Sequence, residues 1–168
     1  LISGIPLIRN VSVRNTDPLK GSLYIAWKKP DRLDTIPANG PYEYIISRAE
    51  GTSGTVYQQV ASIKTANLND TTLIDTLINT LDKAFIYRIE LYNDASGNRF
   101  LIGDPSFASS LFIEILPGDM KSKFTIKRNV PWLNNRYDIF RFNETTLVYD
   151  SVGTTSQLTW NDTGVENN

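Results

Sequence analysis

Tyr44-Ile45-Ile46-Ser47-Arg48 returns later in the chain as Tyr137-Asp138-Ile139-Phe140-Arg141, each time as Tyr-x-Ile-x-Arg. In both copies the Tyr and the Ile two residues on share one face of an extended chain, the alternation of a half-buried strand. Both follow a loop rich in proline and asparagine, and both precede a short polar turn. A second echo keeps the same order: Leu73-Ile74-Asp75-Thr76 is answered by Trp160-Asn161-Asp162-Thr163. Echoes this far apart imply two copies of one domain, not a solenoid with a repeat of about 20–50 residues.

Around the first copy the chain reads as a series of short strands. Leu23, Ile25 and Trp27 alternate on one face until Lys28-Lys29-Pro30 ends the run. Asp31 to Pro41, with its prolines and an Asn39-Gly40 pair, is an exposed loop. Gly51 to Gly54 is a turn, and Val56 to Lys64 a further strand. Leu73, Leu77, Leu81 and Phe85 recur at helical spacing, but the β-branched residues among them are modest helix formers. A short strand over Leu73–Asp75 is expected, then a loop with room for one helical turn. Phe85, Tyr87, Ile89 and Leu91 alternate with Arg88 and Glu90, Asp94 to Asn98 turns, and Arg99 to Ile102 starts the return. Leu111 to Leu116 is expected to close the first sandwich. About seven strands with turns at close spacing argue for an all-β sandwich. In the second half, Phe124–Ile126, Tyr137–Phe142, Thr145–Ser151 and Gln157–Asn161 read as strands, and no counterpart of Phe85 to Leu116 follows.

The chain has 168 residues, 40% of them apolar and 11% aromatic, enough for real cores. Its 17 basic and 18 acidic residues nearly cancel, so no charge footprint for nucleic acid is present. No apolar run approaches the roughly 18 residues of a spanning helix, and no membrane insertion is expected. Cysteine and histidine are both absent. That excludes disulfides, thiolate metal sites, and Ser-His-Asp or Cys-His catalysis within these residues. The chain opens at Leu1 without an initiator Met or a charged-then-apolar leader, and is expected to be a piece of something longer.

Leu23-x-Ile25-x-Trp27-x-x-Pro30, Tyr44-x-Ile46, and Leu81 six residues before Tyr87 together resemble a fibronectin type III domain. The resemblance implies that Trp27 packs between two sheets and that Tyr87 closes a tyrosine corner. In the second copy Arg128 stands where the strand-two Trp would fall, and Trp132 arrives late, in Val130-Pro131-Trp132-Leu133-Asn134. That stretch, with Asp150 to Thr155, looks like repeats upstream of the gliding-motility-associated C-terminal region of large Bacteroidetes surface proteins. The likeness implies export to the cell surface. Asp34-Thr35-Ile36, Asp70-Thr71-Thr72, Asp75-Thr76-Leu77 and Asp150-Ser151-Val152 resemble the O-glycan acceptor triplet of the same phylum.

The expected architecture is therefore a tandem of fibronectin type III-like (immunoglobulin-like) β-sandwiches, residues 1–116 and 117–168, the second incomplete before its last strands. A junction this short, with Pro117 and Gly118, favours a stiff tandem. Trp27, Tyr44 and Tyr87 fall on apolar faces and read as core. Arg48 and Arg141 end equivalent strands, which suggests a structural salt bridge or a snorkelling stem. Asp31/Asp34 and Asp70/Asp75 suggest no acid–base pair, no Asp-x-Asp-x-Asp-Gly calcium spacing occurs, and Gly51–Gly54 lacks the lysine of a phosphate loop. No catalytic, metal or cofactor site is assigned, and the chain reads as a non-enzyme. Trp132 and Asn134, in their Pro/Asn loop, and Asn39 are the candidates for partner contact, with core capping or an interdomain contact as the other reading of Trp132. The functional expectation is a spacer or adhesion module of a large secreted or cell-surface bacterial protein. Its partners would be neighbouring domains of the same chain, and a surface protein or glycan. A protein- or glycan-binding module and an accessory domain of an extracellular hydrolase are the alternatives.

Overall fold

The computed structural model describes residues 5–163. Every regular element among them is a β-strand, and no described helix is long and apolar enough to cross a membrane. The chain forms two compact units. One runs to Leu111 and includes Arg128–Pro131; the other holds Phe112–Lys127 and the residues from Trp132 onward.

The first unit places β1 (Leu7–Asn15), β2 (Gly21–Lys28) and β5 (Thr72–Ile78) in one antiparallel sheet, in the order β1-β2-β5. Its other sheet runs β4 (Gln58–Thr65), β3 (Tyr42–Glu50), β6 (Phe85–Ala95). Beyond β6 the last strand is split. β7 (Asn98–Leu101) pairs with Tyr92–Ala95 and β8 (Ser106–Ser109) with Ile86–Ile89. The core follows from the alternation: Leu23, Ile25 and Trp27 from one sheet meet Tyr44, Ile46, Tyr87, Ile89 and Leu91 from the other, all buried. Trp27 and Tyr44 meet edge-to-face at 5.3 Å. This is an immunoglobulin-like sandwich of the fibronectin type III kind.

In the second unit β9 (Phe112–Gly118), β10 (Lys121–Lys127) and β13 (Thr159–Asp162) pair in the order β9-β10-β13. β11 (Tyr137–Asn143) pairs with β12 (Val148–Thr155). These pairings repeat those of β1 to β5 one for one. The correspondence extends to a defect: the β3–β4 ladder slips between Ile46 and Ser47, and the β11–β12 ladder slips between Ile139 and Phe140, the same step of the repeat. The core is small, with Ile126, Tyr137 and Ile139 buried and Phe124, Val152 and Trp160 packed against them.

The two echoes turn out to be the two halves of one contact. Arg48 on β3 donates to the Asp75 carboxylate on β5 at 2.5 Å, across the sandwich, and the Tyr87 hydroxyl on β6 donates to the same oxygen at 2.7 Å. The Arg48 guanidinium also lies 5.1 Å from the Phe85 ring centre. In the second unit Arg141 on β11 reaches Asp162 on β13 at 3.2 Å. The reading of Arg48 and Arg141 as salt-bridge residues is therefore correct.

Several expectations change. The helical spacing over 73–85 is not used, and β5 extends to Ile78. Leu77 takes a positive φ of 61° at the slip opposite Gly21/Ser22 and points outward, 76% exposed. Leu81, six residues before Tyr87, is half exposed in a turn whose N–H groups are capped by Asn79. Tyr87 stands near the start of β6 as the resemblance implies, but its hydroxyl goes to the Asp75 side chain. The strand closing the first sandwich is β8, built on small residues (Ser106, Ala108, Ser109). Most of Leu111–Leu116 belongs to β9, paired with β10. In register, Asp75 faces Leu23 and Asp162 faces Ser122, so Ile126 holds the place of Trp27, and Arg128 that of Lys29. The tryptophan of the second core comes from β13 instead, as Trp160.

Two substitutions test this packing. Asp75→Ala leaves the mostly buried Arg48 and the buried Tyr87 hydroxyl without their shared acceptor, and should lower the unfolding free energy by about 3 kcal/mol. Gly153→Ala puts a methyl 2.5 Å from the Trp160 ring and should cost about 2 kcal/mol by overpacking. Urea unfolding followed by tryptophan fluorescence measures both. A loss under about 0.5 kcal/mol for either would contradict the contact assigned to it.

Candidate functional site

The loop carrying Asn39 is built, not loose. Asp34 caps its own turn, its carboxylate accepting the Ile36 N–H at 3.0 Å, and the Tyr42 hydroxyl donates to the Ala38 carbonyl at 2.8 Å. Asn93 on β6 is fully buried and ties this loop to the β6–β7 hairpin. It accepts the Gly40 N–H at 2.8 Å and donates to the Asn98 carbonyl at 2.7 Å, while the Asn98 side chain donates to the Pro37 carbonyl at 3.3 Å. Gly40 has φ 72°, and a Cβ there would meet the Tyr42 ring at 3.0 Å. The result is a fixed loop end with Ile36 at its tip and Asn39 exposed beside it. Sequence reading singled out Asn39 and missed Asn93, although the alternation from Phe85 through Leu91 puts Asn93 on the inward face.

Beside this end lies a charged network. Glu43 accepts from the Ser62 hydroxyl and pairs with Arg99 at 2.6 Å. Arg99 also pairs with Asp94 and stacks over Tyr92 at 4.5 Å, and Lys64 reaches Asp94 at 3.1 Å. The Ser62 hydroxyl, and after it Arg99, hold the Glu43 carboxyl below the usual glutamate range. Lys64 and Arg99 do the same for Asp94.

Trp132 and Asn134 lie in the second unit, in the segment leading into β11, and both are half-buried. Asn39 belongs to the first unit. The Asn129–Asn135 loop is itself divided: Asn129 belongs with the first unit, exchanging hydrogen bonds with Ser109 at 2.7 Å.

Two clefts open on the first unit. One, of about 450 Å³, is lined by Arg9, Trp27, Lys28, Lys29, Asn69 and Thr71. Lys28 is paired with Asp31 and Lys29 donates to Asn69 at 2.8 Å, so much of the cationic lining is already engaged. The other, of about 420 Å³, lies over Arg48, Glu50, Gly54 and Phe85. Neither holds a pair of carboxylates of the kind glycoside hydrolysis uses. The two buried tyrosine hydroxyls of the first core keep their protons near neutral pH. Burial, and next the Asp75 charge, raise the Tyr87 hydroxyl far above its ordinary range, while burial pushes Tyr44 up to about 12. Among the described residues no three acidic side chains cluster to hold a metal.

No family model matches the chain, and no curated protein matches it. Among solved structures it is similar to the solution structure of a human fibronectin type III domain, the fourth. The two are 20% identical, over 62% of this chain and 76% of that one, with a TM-score of 0.34.

The lowered carboxyl of Glu43 has a pH signature. A folded-state pKa below the unfolded one adds stability above the unfolded value, and that stability is lost as pH falls through the folded value. Glu43→Gln should therefore cost about 1 kcal/mol at pH 7, where Arg99 is partly solvent-screened. The gap to the wild type should shrink on acidification below the usual glutamate range, near 4.5. Urea midpoints from pH 7 to pH 3 check this, and a gap constant with pH would contradict it.

Proposed function

We propose that this chain is a non-catalytic structural module, a spacer or adhesion element of a large secreted or cell-surface bacterial protein. The observation that carries the reading is what the duplication preserves. β9 to β13 repeat the pairing of β1 to β5, together with the ladder slip and the inter-sheet Arg–Asp pair. Among the described residues no histidine, cysteine or acidic cluster repeats with them. A repeat that keeps packing and discards chemistry suits a part selected for its fold. Export, and kinship with surface proteins carrying the gliding-motility-associated C-terminal region, rest on Val130-Pro131-Trp132-Leu133-Asn134 ahead of Tyr137-Asp138-Ile139. Asp34-Thr35-Ile36 suits an O-glycan acceptor, because Thr35 and Ile36 are exposed in a capped turn.

A second reading, a protein- or glycan-binding module, is favoured by the loop end that Asn93 holds in place, since fixed loops at a sandwich end suit recognition. A glycan array and a pull-down from surface extract, each with the wild type and with Trp132→Ala and Asn39→Ala variants, separate the two. The spacer reading expects no selective capture. Capture abolished by either substitution would replace it with the binding reading. Fractionation of the native cells should find the chain outside the cytoplasm, and mass spectrometry of that material should find added hexose mass on the Thr35 peptide. Recovery in the cytoplasm would overturn the proposed location.

A further inference from the structure

The turn that leads into β3 demands a glycine. Gly40 takes φ 72°, in the left-handed region, and a Cβ there would meet the Tyr42 ring at 3.0 Å. The residue before it is Asn39, and no other asparagine in the sequence is followed by glycine. That pair carries chemistry of its own. A residue with a side chain shields its backbone nitrogen, and glycine does not, so the Gly40 nitrogen is sterically free to reach the Asn39 side-chain carbonyl carbon. Asn39 is exposed, and among the described residues no hydrogen bond holds its side chain.

What stands against that attack is Asn93. Its side-chain nitrogen donates to the Asn98 carbonyl at 2.7 Å, which turns its Oδ1 toward Gly40, and that oxygen accepts the Gly40 N–H at 2.8 Å. Asn93 is fully buried, so water does not compete for the bond. An amide nitrogen attacks only after giving up its proton, and a proton held in a buried hydrogen bond is withheld from solvent base. Two more bonds keep the segment before Gly40 from lifting. The Tyr42 hydroxyl donates to the Ala38 carbonyl at 2.8 Å, and the Asn98 side chain to the Pro37 carbonyl at 3.3 Å.

We infer that Asn39 is a latent self-modification site, converted to aspartate and isoaspartate through the Gly40 nitrogen whenever the Gly40–Asn93 hydrogen bond opens. The Gly40 nitrogen loses its proton to water or hydroxide and bonds to the Asn39 side-chain carbonyl carbon. The bond from that carbon to the side-chain nitrogen breaks, and ammonia leaves a five-membered succinimide. Water then opens either ring carbonyl. One opening gives aspartate; the other leaves the main chain running through the side-chain methylene, as isoaspartate. Water enters and ammonia leaves, with no oxidation or reduction. Either product sets a new carboxylate on the loop end, beside the Glu43–Arg99–Asp94 network. The rate is set by local opening of the loop, as the rate of amide exchange is.

The whole chain and a synthetic peptide spanning Asp34–Glu43 are aged side by side at mildly alkaline pH. Peptide mapping by mass spectrometry follows Asn39, and amide hydrogen exchange follows Gly40. Conversion should be at least about tenfold slower in the folded chain, and slowed by the same factor as Gly40 exchange. Tyr42→Phe keeps the ring and deletes the hydroxyl on Ala38; it should speed both rates roughly fivefold, the worth of one hydrogen bond. Asn93→Ala should bring both near the peptide's rates. Exchange of the β3 and β6 amides reports the fold of each variant, and if Asn93→Ala unfolds, Tyr42→Phe decides. The inference is overturned if Asn39 converts as fast in the folded chain as in the peptide. It is equally overturned if a variant speeds Gly40 exchange and leaves conversion unchanged, or if aspartate forms without isoaspartate, the mark of direct hydrolysis.

Discussion

The carboxylate of Asp75 is the constraint on which the first sandwich depends. A charge between two sheets costs several kcal/mol unless it is paired and hydrogen-bonded, and here β3 supplies Arg48 while β6 supplies Tyr87. Apolar faces alone tolerate a slide of one sheet over the other. A carboxylate that must meet two donors does not, because a slide of about an ångström takes it out of hydrogen-bond reach of both. Arg48, Asp75 and Tyr87 thus fix which residues of β3, β5 and β6 lie together, and the apolar core fills in around them. The second unit uses the same pair, Arg141 with the buried Asp162, at a longer 3.2 Å and with Arg141 about half exposed.

What could be read before the fold was seen follows from this. Tyr-x-Ile-x-Arg and the Asp-Thr echo stand out because they are the two ends of a contact that each unit needs, and each end has little freedom to vary. Alternation found the central strands β2, β3 and β6, whose partners on both sides demand large inward residues. It failed where other physics governs. Leu77 breaks period two because a positive φ at a ladder slip turns it outward. β8 escaped notice because a strand packed tightly against β6 uses Ser and Ala, which carry no hydrophobic signal, and the large residues after it drew the closing role to Leu111–Leu116. Ile126 was hidden as the counterpart of Trp27 because register, not sequence spacing, sets equivalence across strands.

The loop end was half legible. Proline and the Asn39-Gly40 pair mark a loop, but what ties it to the β6–β7 hairpin includes a buried asparagine on another strand, hydrogen-bonded to backbone groups at both Gly40 and Asn98. Backbone partners leave no trace in the sequence. Alternation does place Asn93 inward, and a buried polar side chain has to find partners; an asparagine on an apolar face is a signal for a pinned loop, available from the residues alone. Trp132 and Asn134 show the opposite case. They stood out as aromatic and polar residues in a Pro/Asn stretch, and both are half-buried, a degree of burial that alternation does not address because the stretch lies outside any strand.

The ladder slips complete the logic of the repeat. In both units the extra residue sits in the outer strand, Val60 on β4 and Val152 on β12, so the twist it adds is taken up at the periphery and the repeated strand keeps an even edge. In the first unit that even edge carries the β3–β6 ladder and, through Tyr87, the third member of the Asp75 cluster. The slip, the straight edge and the tyrosine are thus parts of one device, which joins the strand addressed by Tyr-x-Ile-x-Arg to the opposite sheet. The second unit reproduces the slip, the straight edge and the Arg–Asp pair.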